Sequence, residues 1–157
     1  MKNKPFSYYE VPQFATISEL LELTKNKYGE KIIFRTKKKK GDESVSYNRL
    51  YDNVMKLATY FRNTYGERTR IAVIGENSYE WVLTYFAVVC SNNIIVPVDK
   101  ELASADIAEL LKDCEATVFV YSKDYDDIAE DLGELIPSLI CINMKSLTGC
   151  IESVTEI

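Results

Sequence analysis

RIAVIGENSYEWVLTYFAVVCSNNIIVPVD, residues Arg70 to Asp99, reads as strand, helix and strand. Arg70–Ile74 is a short β-branched run that stops at Gly75. The stretch behind it is apolar on nearly every side: Trp81, Val82, Leu83, Tyr85, Phe86, Ala87, Val88, Val89 and Cys90. Asn92-Asn93 ends it, and Ile94–Val98 is a second β-branched run. Elements at this spacing make a βαβ unit. Both strands are continuous apolar runs rather than alternating ones, as a parallel sheet covered on both faces requires. A helix apolar all round must lie between the sheet and a further layer. The helix at about Ser78 to Ser91 is therefore expected among the most buried elements.

Working outward, Thr16-Ile-Ser-Glu19 has the pattern of a capping box. Ile17, Leu20, Leu21 and Tyr28 line one face of the helix it starts, and Gly29 ends that helix. Lys31–Thr36 and Glu43–Ser46 read as a hairpin whose loop is Lys37-Lys38-Lys39-Lys40-Gly41-Asp42. Ser46 caps a helix with Leu50, Val54, Leu57, Ala58, Phe61 and Tyr65 on one stripe, and Gly66 closes it. Beyond Asp99 the alternation continues. Ser104 is expected to cap a helix with Ile107, Leu110, Leu111 and Cys114 inward, and Thr117–Tyr121 is a third strand. Tyr125, Ile128, Ala129, Leu132, Leu135 and Ile136 form another helical stripe, and Ser138–Ile142 a fourth strand. The tail from Met144 to Ile157 shows no clear cap and no closing element. The expected fold is α/β: a doubly wound, mostly parallel sheet with helices on both faces, plus an N-terminal β-hairpin. Residues 1–157 read as one domain, with 1–15 an N-terminal arm.

Composition narrows the function. The chain has 157 residues and a formal net charge of −5, whereas a nucleic-acid surface needs a basic face. No secretory signal pattern opens it. The longest apolar stretch, Trp81 to Val98, is broken by Ser91-Asn92-Asn93 and by Pro97, too interrupted to be a transmembrane segment. A cytoplasmic protein is expected. Cys90, Cys114, Cys141 and Cys150 show no CxxC spacing and read as buried free thiols. The sequence contains no histidine. That removes the commonest general base, the Ser-His-Asp and Cys-His arrangements, and most zinc sites.

Four segments follow one another in a familiar order: Val45-Ser-Tyr-Asn-Arg-Leu50, Arg70-Ile-Ala-Val-Ile-Gly-Glu-Asn-Ser-Tyr-Glu-Trp81, Val96-Pro-Val-Asp-Lys-Glu-Leu102 and Leu110–Val120. From about Thr16 to about Ser122 the chain resembles the N-terminal part of the adenylate-forming (AMP-binding) enzymes. It is most like a bacterial long-chain fatty acid–CoA ligase, an acyl-CoA synthetase, chiefly through GENSYEW and VPVDKEL. The resemblance implies that a fatty acid is activated by ATP to an acyl-adenylate, with release of pyrophosphate, and passed to CoA. It implies ATP, Mg²⁺ and CoA for the full-length enzyme, none of them bound by this chain, and the remainder of its own polypeptide as partner. Such enzymes need a Ser/Thr/Gly-rich loop ending in Lys, acidic residues for ribose and Mg²⁺, and a lysine in a mobile C-terminal domain, all serving charge at a transferring phosphoryl group. Here Gly29, Gly41, Gly66, Gly75, Gly133 and Gly149 stand apart, and Ser146-Leu-Thr-Gly149 lacks both the second Gly and the Lys. No catalytic residue is assigned, and the chain alone is expected to be inactive. Ser91-Asn92-Asn93 also departs from the family, which usually has Gly in that turn; Asn tolerates left-handed backbone better than most residues. The competing expectation is a stand-alone α/β binding or regulatory module without catalysis. A receiver-like switch is disfavoured, because Arg70–Ile74 runs into Gly75-Glu76 without paired carboxylates. A homodimer and peripheral membrane association stay open.

The candidate substrate-binding residues are Asn77, Ser78 and Asp99. Glu76-Asn77-Ser78 follows the carboxyl end of a strand, where open α/β sheets bind ligands. Asn77 can equally cap the next helix, with Glu80 completing a capping box. Asp99 follows the next strand at the same edge and either faces the crevice or caps the turn beside Lys100. Trp81, Tyr85 and Phe86 read as core, with an acyl-chain tunnel as the alternative. Lys37–Lys40, with Lys31 and Arg35, is a basic cluster that is solvated or meets CoA phosphates or an anionic membrane. Asp126-Asp127 and Glu130-Asp131, at helical spacing, form a solvent face, so no metal site is assigned.

Overall fold

The computed structural model describes residues 11–37 and 41–154. Helix α1 (Ile17–Tyr28) starts where Thr16 Oγ1 accepts the Glu19 N–H at 3.1 Å, while the Glu19 carboxylate accepts the Ala15 N–H at 2.6 Å. Strands β1 (Ile32–Thr36) and β2 (Glu43–Ser46) pair antiparallel as a separate two-stranded sheet. Ser46 ends β2 and at once caps α2 (Tyr47–Tyr65), its Oγ accepting the Arg49 N–H at 3.2 Å. The remaining elements are β3 (Arg70–Ile74), α3 (Tyr79–Cys90), β4 (Ile94–Pro97), α4 (Ser104–Asp113), β5 (Val118–Tyr121), α5 (Asp126–Leu135), β6 (Ile140–Asn143) and α6 (Leu147–Ser153).

The main sheet runs β4-β3-β5-β6, and every pairing in it is parallel among the described residues. Side-chain alternation divides its two faces. Ile71, Val73, Val118 and Val120 meet α2, α3 and the segment Met144–Leu147, while Ala72, Ile74 and Phe119 meet α4 and α5. Helices thus cover both faces, as the apolar runs require. The inner side of α3 (Leu83, Thr84, Ala87, Val88) is buried against β3 and α2, and its outer aromatics are half-buried. The turn after it places Asn92 at φ 61, the left-handed backbone expected where the family has Gly.

The structure corrects four local expectations. Helix α3 is capped by Ser78, not Asn77: Ser78 is extended, and its Oγ accepts the Trp81 N–H at 3.1 Å. The position three residues on is then Trp81, so Glu80 completes no capping box. Ser104 is the first residue of α4 rather than its cap; Ala103 precedes it, and the Ser104 hydroxyl donates to Asp131 on α5 at 2.6 Å. The tail also closes. Asn143 Oδ1 accepts the Lys145 N–H at 3.0 Å, a 3₁₀ turn follows, and α6 packs on α2 with Leu147 buried. The four cysteines are free, half-buried rather than buried. No helix among the described residues is long and apolar enough to cross a membrane.

Candidate ligand crevice at the strand ends

Strand order reverses at β3: its crossover through α3 leads to β4 on one side, and β5 lies on the other. Crevices for ligands form at the carboxyl ends of strands at such a point. A cavity of about 280 Å³ opens there, lined by Glu76 and Ser78 after β3, Ser122 and Lys123 after β5, and Asn143 and Lys145 at and after β6. Three strand ends therefore build one site.

Gly75 sets the closeness of the first two loops. A Cβ there would stand 3.1 Å from Ser122 Cβ and 3.3 Å from Met144 Cε. The Ser122 hydroxyl oxygen is buried in this contact with no hydrogen-bond partner. Glu76 ties the loops together: it accepts the Tyr125 hydroxyl at 3.0 Å and faces the Lys100 ammonium at 3.6 Å. Burial pushes the Tyr125 hydroxyl above its ordinary pKa, and the Glu76 carboxylate adds to that, so Tyr125 stays a donor. Asn143 Nδ2 donates to Asp126 at 3.1 Å and holds the third loop.

Ser78 borders both this crevice and a neighbouring cleft of about 350 Å³ between β1 and the start of α3. Exposed Asn77 lies in that second cleft with Phe34, Arg35 and Trp81. Asp99 is exposed and sits apart; its Oδ1 accepts the Glu101 N–H at 3.0 Å, closing the turn after β4. The ion pair of Lys100 with Glu76 links that turn to the crevice. Ser122, Asn143 and Lys145 were not singled out from sequence. Their signal is topological, since each follows a strand whose place in the sheet must be known first.

The crevice carries no phosphate cradle of its own. Its lining lysines, Lys123 and Lys145, are outnumbered by the carboxylates Glu76, Glu80 and Asp124. Among the described residues no three His, Cys, Asp or Glu side chains gather as metal ligands; Asp126 and Asp131 are engaged by Asn143 and Ser104. These residues do not fit ATP or Mg²⁺ by themselves, and no chemical step is assigned to them. Trp81 stacks on Tyr85 at 5.6 Å, with Phe86 edge-on to Tyr85 at 5.9 Å; Trp81 and Phe86 are half-buried against the core, and Trp81 also lines the cleft beside β1. Of the basic cluster, Lys31, Arg35 and Lys37 are exposed, and Lys38–Lys40 lie outside the described residues.

The family model for the AMP-binding enzymes matches residues 21–151. No curated protein matches the chain. Among solved structures, the N-terminal domain of FACL13 from Mycobacterium tuberculosis superposes with a TM-score of 0.79 at 15% identity, over 90% of this chain and 37% of its own. A Rhodopseudomonas palustris protein assigned as a long-chain-fatty-acid CoA ligase gives 0.71 at 19% identity, over 85% of this chain and 36% of its own. The O-succinylbenzoate coenzyme A synthetase MenE from Bacillus subtilis, solved with ATP and magnesium, gives 0.70 at 14% identity, over 87% and 34%. At these identities the likeness is one of fold. The chain spans little more than a third of the length of these structures.

Proposed function

The chain belongs to the AMP-binding enzyme family, and from that premise we propose that residues 1–157 are the N-terminal α/β segment of an ATP-dependent fatty acid–CoA ligase. The family match across residues 21–151 carries this reading. The rest of the polypeptide supplies the phosphate loop, the Mg²⁺-binding acid and the catalytic lysine, and completes the crevice at the ends of β3, β5 and β6. That fits a crevice whose lining carboxylates outnumber its lysines. The long-chain acyl specificity and the CoA acceptor rest on GENSYEW and VPVDKEL. Asn77, Ser78 and Asp99 are assigned to substrate contact in the full-length enzyme. Ser78 borders the crevice, Asn77 lies beside it, and the pairing of Lys100 with Glu76 brings the Asp99 turn to the same sheet edge.

The test is ATP–pyrophosphate exchange with carboxylic acids of graded chain length. The product of the complete native reading frame should support exchange with long-chain acids and form acyl-CoA when CoA is added. Residues 1–157 alone should give none above background, because positioning and charge neutralisation carry adenylation. Exchange by the isolated chain that survives repurification, or a native frame that stops after Ile157, overturns the reading.

A further inference from the structure

Charge is not spread evenly along this chain. Residues 1–40 carry ten Lys or Arg against four Asp or Glu, a net +6, and residues 41–157 carry nine against twenty, a net −11. Exposed apolar side chains are segregated in the same way. Eight large ones stand well exposed among the described residues, and five of them, Val11, Phe14, Leu23, Ile32 and Ile33, fall between positions 11 and 33. A charge asymmetry of this kind points to a nucleic acid or a membrane. Exposed apolar side chains in the same basic segment favour the membrane.

The local geometry joins charge and apolar surface. Helix α1 turns Ile17 and Leu21 to the core. Leu20, Leu23 and Lys27, spaced by three and four, share a second stripe. A groove between that stripe and the arm at residues 11–15 is lined by Val11, Phe14, Leu20, Leu23 and Tyr28. The Lys27 and Lys31 ammonium groups stand over the Tyr28 ring at 5.3 and 5.4 Å. Neither lysine has a carboxylate partner among the described residues. Residues 11–37 hold three Glu. Two of them are engaged, Glu19 by the Ala15 N–H and Glu30 by the Asn48 amide.

We propose that this face, the arm with the second stripe of α1 and Lys31, docks on an anionic lipid bilayer. Val11, Phe14 and Leu23 enter the boundary between headgroups and acyl chains, and Lys27 and Lys31 meet the headgroups. Lysines bordering an apolar strip are what an interfacial element needs, and their long stems let the ammonium stay at the headgroups while apolar groups go deeper. The net −11 of residues 41–157 is repelled by the same surface, so the molecule lands in one orientation. The inference is independent of which acid the ligase activates.

Co-sedimentation of the complete reading-frame product with vesicles tests this, using phosphatidylcholine alone and phosphatidylcholine mixed with phosphatidylglycerol. The mixed vesicles should bind it at least about tenfold more tightly than the neutral ones, and salt should weaken that binding. Lys27 and Lys31 are exposed, so exchanging them leaves the fold intact. Lys27→Gln with Lys31→Gln should weaken binding about tenfold or more, each lysine being worth roughly fivefold at an anionic surface. Phe14→Ser with Leu23→Ser should remove the part of the binding that withstands salt. Lys112→Gln, on α4 at the other face of the sheet, should change nothing. Equal binding to both vesicle types, no binding to either, or a Lys27→Gln, Lys31→Gln variant that behaves like Lys112→Gln overturns the proposal. So does self-association in place of vesicle binding that Phe14→Ser with Leu23→Ser abolishes, which gives the groove to a second copy.

Discussion

A methyl group at Gly75 would press on Ser122 at 3.1 Å, where the loops after β3 and β5 already touch. Overpacking of this kind costs about 1–3 kcal/mol, so Gly75→Ala should lower the urea midpoint by that much. Gly133 in α5 meets nothing within 4 Å and has ordinary helical backbone. Gly133→Ala should instead gain up to about 1 kcal/mol. The paired unfolding curves separate a glycine kept for close approach from one that is merely tolerated. The cap of α3 allows a second comparison. Ser78→Ala should cost about 1 kcal/mol, and Asn77→Ala, at an exposed residue, much less. On the proposed reading, Asn77→Ala and Asp99→Ala in the full-length product should raise KM for a substrate with only a small change in the unfolding midpoint, larger for Asp99→Ala because it loses the Glu101 N–H; unchanged kinetics would leave both residues as surface. The choice between Asn77 and Ser78 was not legible in the sequence, because both cap well. It is decided by where the chain leaves β3.

At the scale of elements, β3, β4 and β5 could be read within a residue or so of their ends. Parallel strands buried on both faces leave unbroken apolar runs, a signal that needs no partner to interpret. Helix α6 could not. It spans seven residues, and Leu147, Cys150 and Ile151 give one turn of periodicity around Thr148-Gly149. What fixes it is tertiary: Leu147 is 2% exposed against the core shared by α2 and α3. Leu147→Ala should therefore cost about 2–5 kcal/mol, measured by urea unfolding, whereas a tail without a closing element would tolerate it. The crevice was half legible for a related reason. Glu76-Asn77-Ser78 announces itself after a strong strand, but Ser122, Asn143 and Lys145 join it only through the order β4-β3-β5-β6, which no local pattern encodes.

The whole molecule should lose stability in alkali. Tyr60, Tyr79, Tyr121 and Tyr125 are all held above their ordinary pKa. For Tyr60 the Cys150 hydrogen bond leads, with burial next; for the other three burial leads. Burial likewise pushes up the Cys90 and Cys141 thiols. A group with a raised folded pKa keeps its proton after the unfolded chain has released it, so its contribution is complete below the unfolded value and is lost as pH climbs beyond it. Unfolded thiols and phenols titrate near about 8.5 and 10. The urea midpoint should hold to about pH 8 and fall progressively above it, with Tyr60→Phe flattening the upper part of the decline. A midpoint that rises between pH 9 and 11 would contradict these shifts.

Ser46 belongs to β2 and to the cap of α2 at once, with no loop between them. The hairpin and the 19-residue helix, about 28 Å long, are therefore joined without slack, like a crank welded to its shaft. At its far end the same helix reaches Tyr60, hydrogen-bonded to Cys150 where α2 meets α6, so one helix joins the hairpin to the tail of the chain.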